Sequence, residues 1–258
     1  MPRQAIATTK VKIVELESTK QKRLYASGYS HNRWETRRRV LRWLLKVFAF
    51  KLLAKLNRVE GLENIPSQGP AILMINHIAF IDPIVVLHVL PRNIVPLAKI
   101  EVYNYPLIGI IPRLWGVIPV RREEVDRRAV QQVLEVLRAG EIVLVAPEGT
   151  RAPQLSQAKE GIAYLASHAN VPIVPVAIDG TKGFPALRFF SAVWKTPGAV
   201  VKFGRQFRFR TDLKRPDRQQ LRIMTDEAMY LLASMLPANR RGYYSDLSKA
   251  TQDTIEWV

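Results

Sequence analysis

A chain of 258 residues, 48% of them hydrophobic, is long enough to bury a sizeable core and too apolar to stay disordered. It has no cysteine, which excludes disulfides, thiolate metal sites and a cysteine nucleophile, and accords with a reducing compartment. The net charge of +17 is unevenly placed: residues 1–60 carry 15 Lys and Arg against 4 Asp and Glu, so the question of partners starts in the N-terminal quarter.

Met1–Ser30 is polar and weakly patterned, without the basic tip, apolar core and cleavage site of a secretory signal. Trp34–Leu56 has no Gly or Pro and is rich in helix formers, but Arg42, Lys46, Lys51 and Lys55 interrupt it, so it is not read as a span. Arg38, Arg42 and Lys46 are spaced to form one basic face. Lys51, Lys55 and Arg58 fall on roughly the opposite side, which predicts a bend or two short helices around Val47–Phe50. Trp34, Trp43, Phe48 and Phe50 interleave with these cations. Either the protein's own core or a membrane surface would suit such a helix. The rings and cations favour an anionic bilayer surface.

The next patterned stretch is Ala71–Pro83. An apolar run, Ala71–Ile75, stops at Asn76 and His77, and Asp82-Pro83 follows. His77 and Asp82 could not face each other on a helix, where a five-residue step turns through about 140°. They can across a strand–turn–helix junction, with Asp82 as N-cap and Pro83 in the first helical position.

Further apolar runs read as strands: Ile94–Ala98, Val117–Val120, Ile142–Ala146, Ile173–Ile178 and Ala199–Phe203. Helical candidates lie between several of them: Pro83–Leu90, Leu107–Leu114, Glu123–Ala139 (stopped by Gly140) and Gln157–Asn170. This alternation predicts an α/β fold, a mainly parallel sheet flanked by helices, with the N-terminal interfacial helical segment in front. Thr211–Leu236 reads as a terminal helical region and Asn239–Val258 as a polar tail. The expected divisions are a basic segment over residues 1–56, a central domain over 57–210 and a C-terminal region over 211–258.

Two more constellations carry chemistry. Lys99 follows a strand, and Arg113 is separated from it by an apolar segment punctuated by Pro and Gly. Pro147-Glu148-Gly149-Thr150-Arg151 follows Ile142–Ala146, on the same sheet edge as His77 if the strands are parallel. Glycine lets a ligand approach the backbone, Thr150 offers a hydroxyl, and Arg151 offers a fork suited to phosphate. Each cation taken alone would more often be a surface charge. The four histidines (His31, His77, His88, His168) lack metal-ligand spacing, HExxH is absent, and there is no GxSxG elbow.

Taken together, NHIAFID, the Lys99–Arg122 block, APEGTR and Val171–Ile178 resemble, in order and approximate spacing, the four motifs of the glycerolipid acyltransferases, in the PlsC branch of 1-acylglycerol-3-phosphate acyltransferases. The resemblance covers roughly Arg58–Phe209. It implies that His77 is a general base, that Asp82 orients it, and that Asn76 supports the turn. It further implies an acceptor site shaped by Glu148, Gly149 and Thr150, with Arg151, Lys99 and Arg113 on the substrate side. The implied donor is acyl-CoA or acyl-carrier protein, with no cofactor or metal. The implied partners are a lysolipid acceptor and a bilayer surface with anionic headgroups, and the implied location is peripheral, on the cytoplasmic face of a bacterial membrane. The chain departs from the usual pattern at Ala79 (commonly Ser), Ala146 (commonly aromatic) and Arg121 (commonly Asp), which bears on acceptor identity rather than on the His77/Asp82 pair. The rival reading is a non-catalytic basic protein that binds membrane or nucleic acid. It leaves the residues of the shared sheet edge without a common purpose, and no nucleic acid is expected.

Overall fold

The computed structural model describes residues 29–50, 55–106, 109–121, 126–181, 198–210 and 216–258. Three strands make the centre of the sheet: β2 (Ala71–Ile75), β5 (Ile142–Val145) and β6 (Ile173–Asp179). They are apolar on both faces because both faces are covered, and every residue of β2 and β5 is buried. β2 runs parallel to both neighbours, with Leu73 opposite Leu144 on one side and Val174 on the other.

The full order is β1 (Leu56–Glu60), β7 (Ala199–Phe203), β6, β2, β5, β3 (Ile94–Lys99) and β4 (Ile118–Val120). The pairings β1/β7, β3/β5 and β3/β4 are parallel, whereas β6/β7 is antiparallel. β8 (Phe207–Phe209) pairs antiparallel with β6 and with β9 (Ile255–Trp257). The mainly parallel α/β sheet expected from the alternating pattern is therefore what forms.

Alternate residues of β2 feed two cores. Ile72 and Met74 join the side covered by α4 (Arg127–Arg138), α5 (Gly161–Ala169) and α6 (Arg218–Ser234). Ala71, Leu73 and Ile75 join the side covered by α2 (Asp82–Val89), Trp115 of α3 (Ile110–Trp115) and Phe50. Asp126 caps α4 by accepting from the backbone N–H groups of Arg128 and Ala129, and Asp217 with Gln220 forms a capping box on α6.

Several expected elements are shorter. The predicted Gln157–Asn170 helix begins only at Gly161, and the Leu107–Leu114 helix is Ile110–Trp115, preceded by a 3₁₀ turn over Ile100–Asn104. Residues 1–28, 51–54, 107–108, 122–125 and 211–215, on which parts of the expected elements fall, lie outside the described residues. The stretch read as a polar tail instead ends in β9. Buried Glu227 fixes it by accepting from the Thr251 and Thr254 hydroxyls and the Asp253 and Thr254 N–H groups.

The N-terminal helix, α1 (His31–Leu44), changes winding into a π-helical turn over Leu45–Ala49, close to where a bend was expected. Its assignment of faces needs correction. Arg38 is 0% exposed, not on an outer basic face. Its guanidinium donates to the Trp115 carbonyl (2.8 Å) and the Tyr29 hydroxyl (2.5 Å) and pairs with Glu141 (3.3 Å). Trp34 is half-buried with its ring against Gly116, whose φ of +73° leaves no room for a side chain: a Cβ would sit 2.9 Å from the ring. Phe50 is buried and stacks on His88. Arg42 donates to the carbonyls of Leu90 and Pro91 at the end of α2, and Lys46 is half-buried. Trp43 and Phe48 do face outward, each 58% exposed. No helix among the described residues is long and apolar enough to cross a membrane.

Candidate active site

Because β2, β5 and β6 are parallel, their carboxyl ends open on one edge of the sheet. The end of β2 delivers Asn76 and His77. The Asn76 side chain accepts from the N–H of Ile178 (2.7 Å) and donates to its carbonyl (2.8 Å), and so extends the ladder to β6 by one side-chain rung. With the turn anchored there, the His77 ring points back at the first residue of α2.

That residue is Asp82. It is not the N-cap expected from Asp-Pro: Ile81 occupies the cap, and the Asp82 carboxylate turns back into the loop. Its Oδ2 accepts from His77 Nδ1 and from the N–H groups of Ile78 and Ala79, each at 2.8 Å. Its Oδ1 accepts from the Thr181 hydroxyl at 2.6 Å. Asp82 is fully buried and His77 is 15% exposed. A carboxylate on Nδ1 keeps the proton there and leaves the lone pair on Nε2, which meets no hydrogen-bond partner among the described residues.

The loop after β5 closes on the same point. Ala152 N–H donates to the His77 carbonyl (2.9 Å), and Gly149 N–H to that of Ala146 (3.0 Å), with Gly149 at φ +68°. Glu148 is 5% exposed, and its Oε2 accepts from the N–H and hydroxyl of Ser156 (2.7 and 3.0 Å). Burial pushes the Glu148 carboxyl up, against the donors of Ser156 and the N–H and charge of His77. Thr150 and Arg151 are exposed, and the Arg151 guanidinium lies 5.9 Å above the Phe80 ring.

The structure therefore brings His77, Asp82, Asn76 and Glu148 together, with Gly149, Thr150 and Arg151 on the adjoining loop. Lys99 ends β3 and Arg113 lies on α3, each engaged with a neighbour of its own. Lys99 Nζ pairs with Glu101 at 3.3 Å, and Arg113 donates to the Tyr103 carbonyl at 3.0 Å. Two residues of the site were not found from the sequence, Thr181 and Ser156. The available signal for Thr181 was its position just past an apolar strand, on the edge that His77 shares.

An imidazole whose Nε2 has no hydrogen-bond partner among the described residues, backed by a buried carboxylate, can take a proton from a hydroxyl. The exposed Arg151 guanidinium on the adjoining loop suits an anionic substrate group.

Residues 57–179 match the family model described as Acyltransferase. Over 130 residues the chain is 34% identical to "1-acyl-sn-glycerol-3-phosphate acyltransferase LPAT1, chloroplastic" of Arabidopsis thaliana, a match covering 48% of this chain and 36% of that one. It is 33% identical over 130 residues to the 1-acyl-sn-glycerol-3-phosphate acyltransferase of Borreliella burgdorferi, covering 49% of this chain and 52% of that one. The chain thus spans about half or less of the length of these relatives. The fold is shared with the crystal structure of the 1-acyl-sn-glycerophosphate (LPA) acyltransferase PlsC from Thermotoga maritima, at a TM-score of 0.56 and 20% identity over 94% of this chain and 92% of that one.

Proposed function

We propose that this chain is a PlsC-type acyltransferase that moves a fatty acyl group from an acyl thioester to the free hydroxyl of a lysolipid, 1-acylglycerol-3-phosphate, giving phosphatidic acid. The observation that carries this reading is the His77–Asp82 contact, with Nε2 unpartnered among the described residues, on the sheet edge where the Glu148–Arg151 loop closes.

His77 Nε2 takes the proton of the lysolipid hydroxyl as its oxygen bonds to the thioester carbon. Asp82 holds the ring and stabilises the imidazolium. When the tetrahedral intermediate collapses, the C–S bond breaks and the imidazolium returns the proton to the departing thiolate. The enzyme thus ends unchanged, and the products are the ester and a free thiol. Glu148 and Asn76 shape the wall behind His77. Arg151, with Lys99 and Arg113 on the neighbouring strand side, receives the acceptor's phosphate. The donor is acyl-CoA or acyl-carrier protein, and no cofactor takes part.

The acceptor and product are membrane lipids, and the reading includes attachment to an anionic bilayer on the cytoplasmic face of a bacterial membrane. What supports it is a set of outward apolar side chains on two neighbouring helices. Val40, Trp43 and Phe48 of the N-terminal helix are exposed, as are Ile110, Ile111 and Leu114 of α3, which packs beside that helix. Exposed Arg33, Arg37 and Arg39 lie on the same helix.

The test is acyl transfer by the wild type and His77→Ala with a panel of lysolipids and both donor classes. Turnover of lysophosphatidate, lost by about 10²–10⁴-fold in the variant, is expected. Absence of His77-dependent turnover with every acceptor and both donors, in folded protein, overturns the reading.

A further inference from the structure

Thr181 lies outside every motif read from the sequence, yet its hydroxyl is the one donor to Asp82 Oδ1 among the described residues, at 2.6 Å, with both side chains buried. We propose that Thr181 is a positioning residue of the site, fixing the carboxylate so that Oδ2 alone meets the imidazole of His77. Only the kinetic arm of its test rests on the acyl-transfer reading.

The case is one of local geometry. Oδ2 already holds three donors: His77 Nδ1 and the N–H groups of Ile78 and Ala79. These would tolerate a tilt of the carboxylate about its last torsion, which is soft for Asp. A fourth donor on the opposite oxygen removes that freedom. The chain is shaped to supply it. β6 ends at Asp179, and Gly180 turns the backbone at φ +76°, where a Cβ would sit 2.4 Å from the Gly198 carbonyl oxygen. Only glycine makes this reversal, and its effect is to present Thr181 to Asp82. The same strand holds the other end of the turn through the Ile178–Asn76 rung. β6 therefore grips the His77–Asp82 loop at both ends. Without the hydroxyl, Oδ1 is a buried acceptor with nothing to accept from, which favours a rotated or protonated carboxylate and a loosely held ring.

The test compares Thr181→Val, isosteric but without a donor, with Thr181→Ser, which keeps the hydroxyl. Thr181→Cys, with only a weak S–H donor, replaces the valine variant should that one fail to fold. The first readout is ¹⁵N NMR of the imidazoles against pH, with His77 assigned by the loss of its signals in His77→Ala; it needs no substrate. Among the described residues Glu148, on the loop after β5, also faces His77, and it is the same in all variants. The expected result is a shifted His77 titration and more Nε2–H tautomer in Thr181→Val, with wild-type behaviour in Thr181→Ser. The second readout is the pH–rate profile. A displaced profile and a fall of about tenfold or more in kcat in the valine variant are expected, with the serine variant near wild type. An unmoved His77 titration overturns the proposal, even if the valine variant is less active, because the role is then structural only. Should the wild type lack turnover while the NMR result holds, the acyl-transfer reading fails and the positioning role stands.

Discussion

Arg38 and Glu141, 103 residues apart in the chain, meet at 3.3 Å with almost no solvent on either side chain (0% and 6% exposed). The Tyr29 hydroxyl completes the group by donating to Glu141 at 2.7 Å. This contact ties the N-terminal helix to the start of β5. Replacing Arg38 by Met breaks this buried ion pair and should cost about 3–5 kcal/mol in denaturant unfolding. The double variant Arg38→Met/Glu141→Gln should recover part of that loss. A single variant within about 0.5 kcal/mol of wild type would mean that the pair contributes no more than an exposed surface substitution.

Asp82→Asn tests the carboxylate itself. Four donors converge on it, and an amide must turn its NH₂ towards at least one of them. Loss of activity by about 10²-fold or more is expected, together with a lower Tm. Activity within threefold of wild type would remove Asp82 from the mechanism.

The Glu148 carboxyl titrates above its ordinary value in the folded protein, chiefly through burial. The folded state therefore keeps this proton to a higher pH than the unfolded chain does. The group's contribution to stability is level below the ordinary range near 4.5, falls as pH rises through the raised value, and levels again beyond it. Glu148→Gln removes that slope, so its Tm should gain on the wild type as pH rises across the window. Differential scanning calorimetry at a series of pH values reads this directly, and parallel Tm curves would refute it.

For the membrane surface, Trp43→Ser/Phe48→Ser and Ile111→Ser/Leu114→Ser are the informative pairs, because all four side chains are exposed and their loss should leave Tm unchanged. Each pair should weaken sedimentation with anionic liposomes by about tenfold or more, given roughly 1.5–3 kcal/mol for each large apolar side chain withdrawn from water. Rising salt should weaken it further. If the α3 pair binds as well as wild type, the surface is confined to the N-terminal helix.

Much of the sheet was legible because β2, β5 and β6 are buried on both faces and so read as uninterrupted apolar runs. Three outlying strands were not. Leu56–Glu60 interleaves two exposed polar residues, and Phe207–Phe209 and Ile255–Trp257 are three residues each, too short for any period to register. Within the site, His77 and Asp82 were legible because local spacing forces them across a turn. Thr181 reaches Asp82 from 99 residues away, which only the pairing of β2 with β6 arranges. Arg38 misled for the same reason. Helical periodicity placed it correctly on a face with Arg42, but whether that face meets solvent was decided by Glu141, just before a distant strand.

The loop that closes on His77 is gripped from behind by a segment made much later. Leu155 exchanges main-chain hydrogen bonds with Arg240 and Tyr243, Arg240 also reaches the Pro153 carbonyl and the Asp179 carboxylate, and the Tyr244 hydroxyl accepts from Ala158 N–H. During synthesis, about 90 residues separate the loop's emergence from that of its clamp, some seconds at ribosomal rates. A nascent chain can already hold β2, β5 and β6 by the end of that interval and still lack a settled loop behind His77. A chain cut before residue 240 therefore carries β2, β5 and β6 but lacks the contacts that hold the loop beside His77.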